Sequence, residues 1–306
     1  MSRPCTTAIL LFLAAVILSI STASAQDLEP RAYAASPVGV SFLAVLAGRS
    51  TGGIVVDPSL PIEDVRASVN SLGVGVGTTF DLFGRTALAV AAFPVAWAEA
   101  TGRVGETTGH ATRSGLADPR LKLSVNLVGG RALDVTEFAR ARRPTIIGAS
   151  LTVIPPLGQY DRTKLVNLGA NRWAFKPEIG LSRLIRSRWT IDGYAGVWMA
   201  TANDEFYPGA SLRTQRPIVA LQAHVSYTAR PRLWVAADGT WYSGGRTTVD
   251  GVEKADLQRN SRLGVTLSLP IAQRQSVKIS ASRGATTRIG SDFTTIAAAW
   301  QLSWFH

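Results

Sequence analysis

Hydrophobic and polar residues alternate along much of this chain. In the stretch SRLGVTLSLP, residues 261–270, Leu263, Val265, Leu267 and Leu269 occupy every second position, with polar or small residues between them. Successive side chains of a β-strand point to opposite faces, so the stretch predicts a strand with one apolar and one polar face. Such a strand fits a soluble sandwich, whose apolar face meets a second sheet, or an outer-membrane barrel, whose apolar face meets lipid.

Twelve segments of this kind follow one another along the chain. Each has about 10 to 15 residues, which is long enough to cross the hydrocarbon layer as a tilted strand. The segments lie near residues 37–48, 67–80, 86–100, 119–128, 145–154, 172–183, 188–201, 216–228, 232–243, 260–269, 275–285 and 293–305.

The connections between these segments alternate in length. With a periplasmic N-terminus, the connections after odd strands are long, as in residues 101–119 and 155–171, and those after even strands are mostly short, as in ARPR, residues 229–232. Residues 129–144 are an exception, for which we predict a short helix from Asp134 to Arg142. Long surface loops and short periplasmic turns are typical of outer-membrane barrels. We therefore predict an all-β fold, a transmembrane antiparallel β-barrel of about 12 strands.

The N-terminus has the features of a secretory signal peptide. Arg3 precedes an apolar run from Ala8 to Ile20, which is shorter than the roughly 20 residues of a spanning helix, and small residues follow at positions 23–25. We predict cleavage after residue 25 and a barrel over residues 26–306. Cys5, the only cysteine, would leave with the signal peptide, so the mature chain would form no disulfide or thiolate metal site.

The C-terminal segment TTIAAAWQLSWFH is similar to the final strand that outer-membrane proteins present to the barrel-assembly machinery. It departs from that pattern because His306 follows Phe305. Tryptophans near strand ends fit an aromatic girdle at the membrane boundaries, although terminal aromatic residues can also pack in a soluble core. The girdle candidates are Trp173, Trp189, Trp241 and Trp304.

The central region, residues 149–204, resembles the outer-membrane transporter family linked to the meta-cleavage pathway of phenol degradation. The later stretches YSGGRTTVDG and NSRLGVTLSLP resemble the same family. The resemblance implies an outer-membrane β-barrel with a transport role, and it transfers no catalytic residue. The matching residues are Pro155, Pro156, Gly158, Tyr160, Asn167, Gly169, Asn171, Arg172, Trp173, Trp198 and Asn203.

Positive charge concentrates at the predicted periplasmic turns. The chain has a net charge of +11 at pH 7, and loss of Arg3 leaves +10. A positive rim favours anionic solutes such as aromatic acids, whereas arginine also simply snorkels at a membrane boundary. An exported barrel meets no nucleic acid, so we predict no such partner. The turn residues are Arg85, Arg131, Arg140, Arg142, Arg143, Arg183, Arg186, Arg188, Arg230, Arg232 and Arg274.

Charged and amide residues recur on the faces predicted to line the lumen. They would form either a charged constriction that selects the solute or a cross-strand ladder that fills the interior. Twelve strands lie between a filled and a wide barrel, so any pore should be narrow. The candidates are Lys122, Asn126, Lys176, Glu178, Asp192, Gln222, His224, Asp238, Arg262 and Lys278.

Catalytic and metal-binding patterns are weak. His224 and Ser226 share a face, which is the minimum for a base and a nucleophile, and outer-membrane phospholipase also has a histidine and a serine two residues apart. Alternation places this pair in the lumen near the periplasmic end, where no lipid ester is presented. His110 has no cysteine partner, so a metal site is not supported. We predict no enzyme activity, no metal and no cofactor.

The sequence leaves three functional hypotheses. The leading one is passive uptake of small, aromatic or anionic solutes through an outer-membrane barrel. The second is a closed barrel with a structural role or an adhesion role of its surface loops. The third is a soluble exported sandwich, which would partition into the periplasm.

Overall fold

The computed structural model describes residues 28–56, 63–142, 144–207 and 209–305. The predicted signal peptide, residues 1–25, lies outside the described residues. No helix in the described ranges is both long and apolar enough to cross a membrane.

The alternating segments form antiparallel strands. The described residues contain the strands β1 (Val40–Val55), β2 (Glu63–Leu82), β3 (Arg85–Val104), β4 (Thr107–Leu116), β5 (Arg120–Val128), β6 (Ile146–Ile154), β7 (Ala174–Ile185), β8 (Trp189–Ala200), β9 (Asn203–Phe206), β10 (Ser211–Gln215), β11 (Ile218–Arg230), β12 (Leu233–Gly244), β13 (Thr247–Val249), β14 (Val252–Glu253), β15 (Gln258–Ala272), β16 (Gln275–Thr286) and β17 (Gly290–Phe305).

Twelve of these strands close into a barrel. The hydrogen-bonded order is β1, β2, β3, β5, β6, β7, β8, β11, β12, β15, β16 and β17, and β17 pairs with β1 to complete the ring. Each of the twelve corresponds to one predicted segment. The predicted barrel and its strand number are therefore confirmed, and the soluble sandwich is excluded because the main sheet closes on itself instead of packing face to face on another sheet in the described ranges.

The two faces of each strand meet different surroundings. Leu263 and Val265 on β15 point outward and are 63% and 56% exposed. Trp173, Trp189 and Trp304 also point outward and are exposed near strand ends. Side chains of this kind are stable against lipid rather than water, so this outer surface forms the membrane-facing apolar band.

The periplasmic connections are tight, as predicted, apart from residues 129–145. The β2–β3 turn places Phe83 and Gly84 at φ of 52° and 76°, as a two-residue type I′ hairpin requires. The long connection contains helix α1 (Val135–Arg140), whose N-cap Asp134 forms a capping box with Glu137. The predicted short helix is therefore confirmed.

The extracellular side differs from the prediction in two places. Residues 101–119 were expected to be a loop, but β4 pairs with the upper part of β3, and β5 takes over the pairing with β3 further down. The connections after β8 and β12 form a second sheet in the order β14, β13, β10, β9, which we call the loop sheet. Both differences arise because β4 and the short strands of the loop sheet lack the hydrophobic alternation that reveals membrane strands.

Candidate functional site

The ten predicted lumen residues all lie on the inner face of the barrel. Strand register fixes this placement, since His224 on β11 stands directly opposite both Asp192 on β8 and Asp238 on β12. Most of them are buried, with Lys176 2% and Asp192 1% exposed, whereas Lys278 on β16 is exposed. The inner face is thus filled in one part and accessible in another.

The charged part of the inner face extends over β5, β6, β7, β8, β11, β12 and β15, and we call it the charged wall. Its polar groups are paired within and across strands. Lys176 Nζ lies 2.9 Å from Glu178 Oε2. His224 Nδ1 lies 2.7 Å from Asp238 Oδ1, and Thr266 Oγ1 donates to the other oxygen of Asp238 at 2.6 Å. The two contacts of Asp238 are cross-strand pairs of the ladder that the sequence left as one of two alternatives, whereas Lys176 and Glu178 pair within β7.

The other part of the inner face belongs to β16, β17, β1, β2 and β3, and we call it the small-residue wall. Apart from Lys278, its central residues are small or apolar. Leu46 points inward and is nevertheless 40% exposed, so the lumen is open beside it. The inward residues at this level and around it are Ala44, Gly48, Ser71, Gly73, Gly75, Val90, Ala92, Ser280, Ala297 and Ala299.

Residues 28–39 run through the lumen along the charged wall, and we call them the N-terminal segment. Glu29 forms an ion pair with Lys122, and its Oε1 lies 3.7 Å from Arg120 Nη1. Arg31 donates from Nε to Ser226 Oγ at 2.8 Å, and its guanidinium carbon lies 4.6 Å from the centre of the Trp234 ring. The segment therefore supplies the counter-charges that the charged wall needs.

Tyr33 is the deepest anchor of the N-terminal segment, with 1% of its surface exposed. Its hydroxyl lies 2.8 Å from Ser150 Oγ and donates to Glu178 Oε1 at 3.1 Å. Gly148 and Gly180 are directly opposite each other on β6 and β7, and a Cβ at either position would overlap the Tyr33 ring. The two glycines thus form the slot that holds the ring.

A cavity of about 180 Å³ lies beside the N-terminal segment at the periplasmic end. Arg31, Ala34, Ser182, Thr190 and Thr228 line it. Space therefore remains between this part of the segment and the wall.

Residues 155–173, between β6 and β7, fold over the extracellular mouth, and we call them the lid. Asp118 holds the lid by accepting hydrogen bonds from Gly158 N and Ala170 N, both at 2.7 Å. A Cβ on Gly158 would lie 2.6 Å from Asp118 N, so only glycine permits this approach. Burial raises the pKa of Asp118, and the hydrogen bonds from Ala170 and Gly158 oppose that shift.

Apolar side chains close the lid against the small-residue wall. Val166 of the lid packs in one buried cluster with Ile54, Val65 and Phe293, which point into the barrel from the extracellular ends of three strands. Arg113 Nε also donates to Val166 O at 2.7 Å and ties the lid to β4. The extracellular entrance is therefore covered by an apolar contact.

The histidine and serine pair does not form a nucleophile. His224 Nδ1 faces Asp238, and Ser226 Oγ accepts from Arg31 Nε. His224 Nε2 has no hydrogen-bond partner among the described residues, so the bond from base to hydroxyl that activates a serine is not formed there. No group of three or more metal-ligating side chains stands together in the described parts of the chain.

Residues 48–300 match the family described as "Putative MetA-pathway of phenol degradation". The chain belongs to this family. Most of the residues that gave the resemblance in sequence lie in the lid, and Asn203 beside it donates to Tyr160 Oη at 3.0 Å. In this member of the phenol-degradation family, the motif therefore maps mainly to the lid over the extracellular mouth.

Solved structures share the fold of this family member. An outer membrane channel from Pseudomonas putida F1 is 19% identical, with a TM-score of 0.76 over 91% of this chain and 100% of that one. The beta domain of the Bordetella autotransporter BrkA is 13% identical, with a TM-score of 0.53 over 87% and 100% of the two chains. The sequence matches no curated protein. The protein is an outer-membrane β-barrel.

Proposed function

We propose that this barrel is a channel for the passive uptake of small aromatic solutes, which move along the small-residue wall. The observation that carries the proposal is the exposure of Leu46 in the middle of that wall, while the opposite wall is filled by the N-terminal segment. A path lined by alanine, glycine and leucine favours solutes with apolar surface over hydrated ions. The likeness of the fold to an outer membrane channel supports this proposal.

The channel would also accept aromatic acids, which carry a negatively charged carboxylate. Lys278 is exposed on the small-residue wall, and its ammonium lies 5.7 Å from the centre of the Trp234 ring. A cation beside an aromatic surface attracts an anion that carries an aromatic ring. We therefore include benzoate-like anions among the solutes.

The test is single-channel recording of purified protein in a planar bilayer, in potassium chloride and in sodium benzoate, together with uptake of phenol by liposomes. Small conductance steps, benzoate passage or block, and protein-dependent phenol uptake are the expected results. A silent bilayer and no phenol uptake, with protein that is folded by its heat-dependent electrophoretic mobility, would overturn the proposal.

The alternative is a closed barrel with a structural or adhesion role. The lid and the loop sheet favour it, because both cover the extracellular end. A silent barrel in the test above would support it. We also keep the prediction that β17 is the strand recognised by the barrel-assembly machinery, and exchange of its terminal aromatic residues for alanine should then reduce insertion into the membrane.

A further inference from the structure

Four arginines in and below the loop sheet are paired in reverse of the usual order of burial. The exposed Arg216 and the half-buried Arg246 both bind Glu253, with distances of 2.7 Å and 2.6 Å between nitrogen and carboxylate oxygen. The buried Arg172 and Arg213, which are 7% and 6% exposed, form no ion pair within the described parts of the chain. A buried charge normally needs a partner more than an exposed one does.

Arg172 lies in the lid, two residues before β7 begins, and its guanidinium reaches Gln215 on β10 of the loop sheet. Its Nη2 donates to Gln215 Oε1 at 2.6 Å, whereas its Nη1 is buried and has no hydrogen-bond partner among the described residues. One side of this guanidinium is therefore bonded to a neutral amide, and the other side is unsatisfied.

Arg213 stands beside Arg172. It is two residues from Gln215 on β10, so both side chains leave the same face of that strand. Its buried Nε has no hydrogen-bond partner within the described ranges, and its guanidinium carbon lies 5.4 Å from the centre of the Phe206 ring. The aromatic ring offers weak stabilisation for the cation and does not satisfy its N–H groups.

The nearest carboxylates are occupied by other groups. Asp118 acts on Arg172 electrostatically, but its two oxygens accept from Gly158 N and Ala170 N. Asp256 acts on Arg213, but its two oxygens accept from Thr247 N at 2.8 Å and Thr247 Oγ1 at 2.6 Å. Each oxygen already accepts a hydrogen bond, and among the described residues neither carboxylate forms an ion pair with Arg172 or Arg213.

The electrostatics agree with this geometry. Burial, and next the like charge of Arg213, lower the pKa of Arg172 to about 9. Burial likewise lowers the pKa of Arg213 to about 10. Both groups stay protonated at neutral pH, so two like charges stand together away from water and an anion between them would relieve the strain on both.

We infer that Arg172 and Arg213 form a binding site for a small carboxylate anion at the extracellular mouth, beneath the loop sheet. Two planar guanidinium groups with free N–H donors match the two oxygens of a carboxylate. The site lies in the barrel interior and not on the lipid face, so the anion comes from the external solution. Binding at this site does not require transport through the lumen, so the anion site and the proposed channel function can be disproved independently.

The test uses the folded protein in detergent at low ionic strength and fluorine NMR of fluorobenzoate as the probe. Broadening of the probe signal is expected with the native protein, and fluorobenzamide, the neutral analogue, should show none. Arg213→Gln and Arg172→Gln should each weaken fluorobenzoate binding by about tenfold or more, since each removes charge-assisted hydrogen bonds. Arg216→Gln, an exposed arginine of the same region, is the matched control and should bind as the native protein does.

Folding is checked for each variant by heat-dependent mobility on a gel. If Arg213→Gln does not fold, Arg213→Lys keeps the charge but loses the planar fork, and it should still weaken binding. No broadening with the native protein, or equal broadening with Arg216→Gln and both buried variants, would overturn the site. Displacement of the probe by inorganic phosphate at far lower concentration than by acetate would overturn the carboxylate assignment.

Discussion

The charged wall and the small-residue wall are made of the same alternating strands, yet they fill the barrel differently. On the charged wall, Lys176 and Glu178 pair with each other along β7, Glu178 also accepts a hydrogen bond from Tyr33 of the N-terminal segment, and both side chains are almost fully buried. On the small-residue wall, Ala299 and its neighbours end close to the backbone, and Leu46 remains exposed. Side-chain length on each wall, and not strand number alone, decides where space is left in the lumen.

The two walls also differ in how far they depend on the N-terminal segment. Lys122, Glu178 and Asp192 on the charged wall bind Glu29, Tyr33 and Arg31 of the N-terminal segment, and loss of these partners would leave desolvated charges. The small-residue wall has no comparable requirement and can face a changing solute. One wall thus anchors the segment, and the other remains available for transport.

Filling the small-residue wall should have the largest effect. Ala299→Trp places an indole in the lumen opposite Leu46, so conductance and phenol uptake should fall by about tenfold or more. Ala298→Trp is the matched control, since the adjacent residue points to lipid on the same strand. Equal transport by the two variants would mean that solutes do not pass along this wall.

Loosening the N-terminal segment should have the opposite effect. Tyr33→Ala removes the ring from the Gly148 and Gly180 slot, so single-channel conductance should rise by about two- to fivefold as the segment moves away from the wall. Gly180→Val should act in the same direction by occupying the slot. Tyr227→Ala, at an outward-facing tyrosine next to Trp189, is the control. Unchanged conductance in both slot variants would show that the segment is held elsewhere.

The lid should respond to loss of its carboxylate anchor. Asp118→Ala leaves Gly158 N and Ala170 N without acceptors, which should destabilise the closed lid by about 1–3 kcal/mol for each buried N–H. The measurement is the rate of protease cleavage within residues 161–166 of the folded barrel. Asp118→Ala should raise this rate above that of the native protein. Asp204→Asn, at an exposed residue of β9, should leave it unchanged. A rate in Asp118→Ala equal to that of the native protein would contradict the anchoring role.

The barrel was predictable because its signal is local. Alternation fixes which side of β8, β11, β12 and β15 meets lipid, and it placed His224, Asp238 and Arg262 on the inner face from the sequence alone. The lid motif was also visible as a resemblance, although its inward fold was not. Whether the ten inner residues contact solute stays a prediction.

The N-terminal segment was not predictable in the same way. Tyr33 contacts Ser150 and Glu178, which are 117 and 145 residues away, and residues 28–39 have no periodicity that would reveal this placement. The sequence signal that could have indicated this placement was a pair of inward-facing glycines on the charged wall, Gly148 and Gly180. The loop sheet was missed for a similar reason, since its strands are short and polar.

The smallest expected effect concerns Lys278, an exposed charge of the small-residue wall. Lys278→Gln removes a cation near the accessible path, so the preference for chloride over potassium should fall by about twofold while total conductance changes little. Reversal potentials in a salt gradient measure this preference. Lys254→Gln, in the connection after the loop sheet strand β14, removes the same charge outside the lumen and is the control. If both substitutions shift the reversal potential equally, surface charge governs selectivity and the small-residue wall serves only as the apolar side of the path.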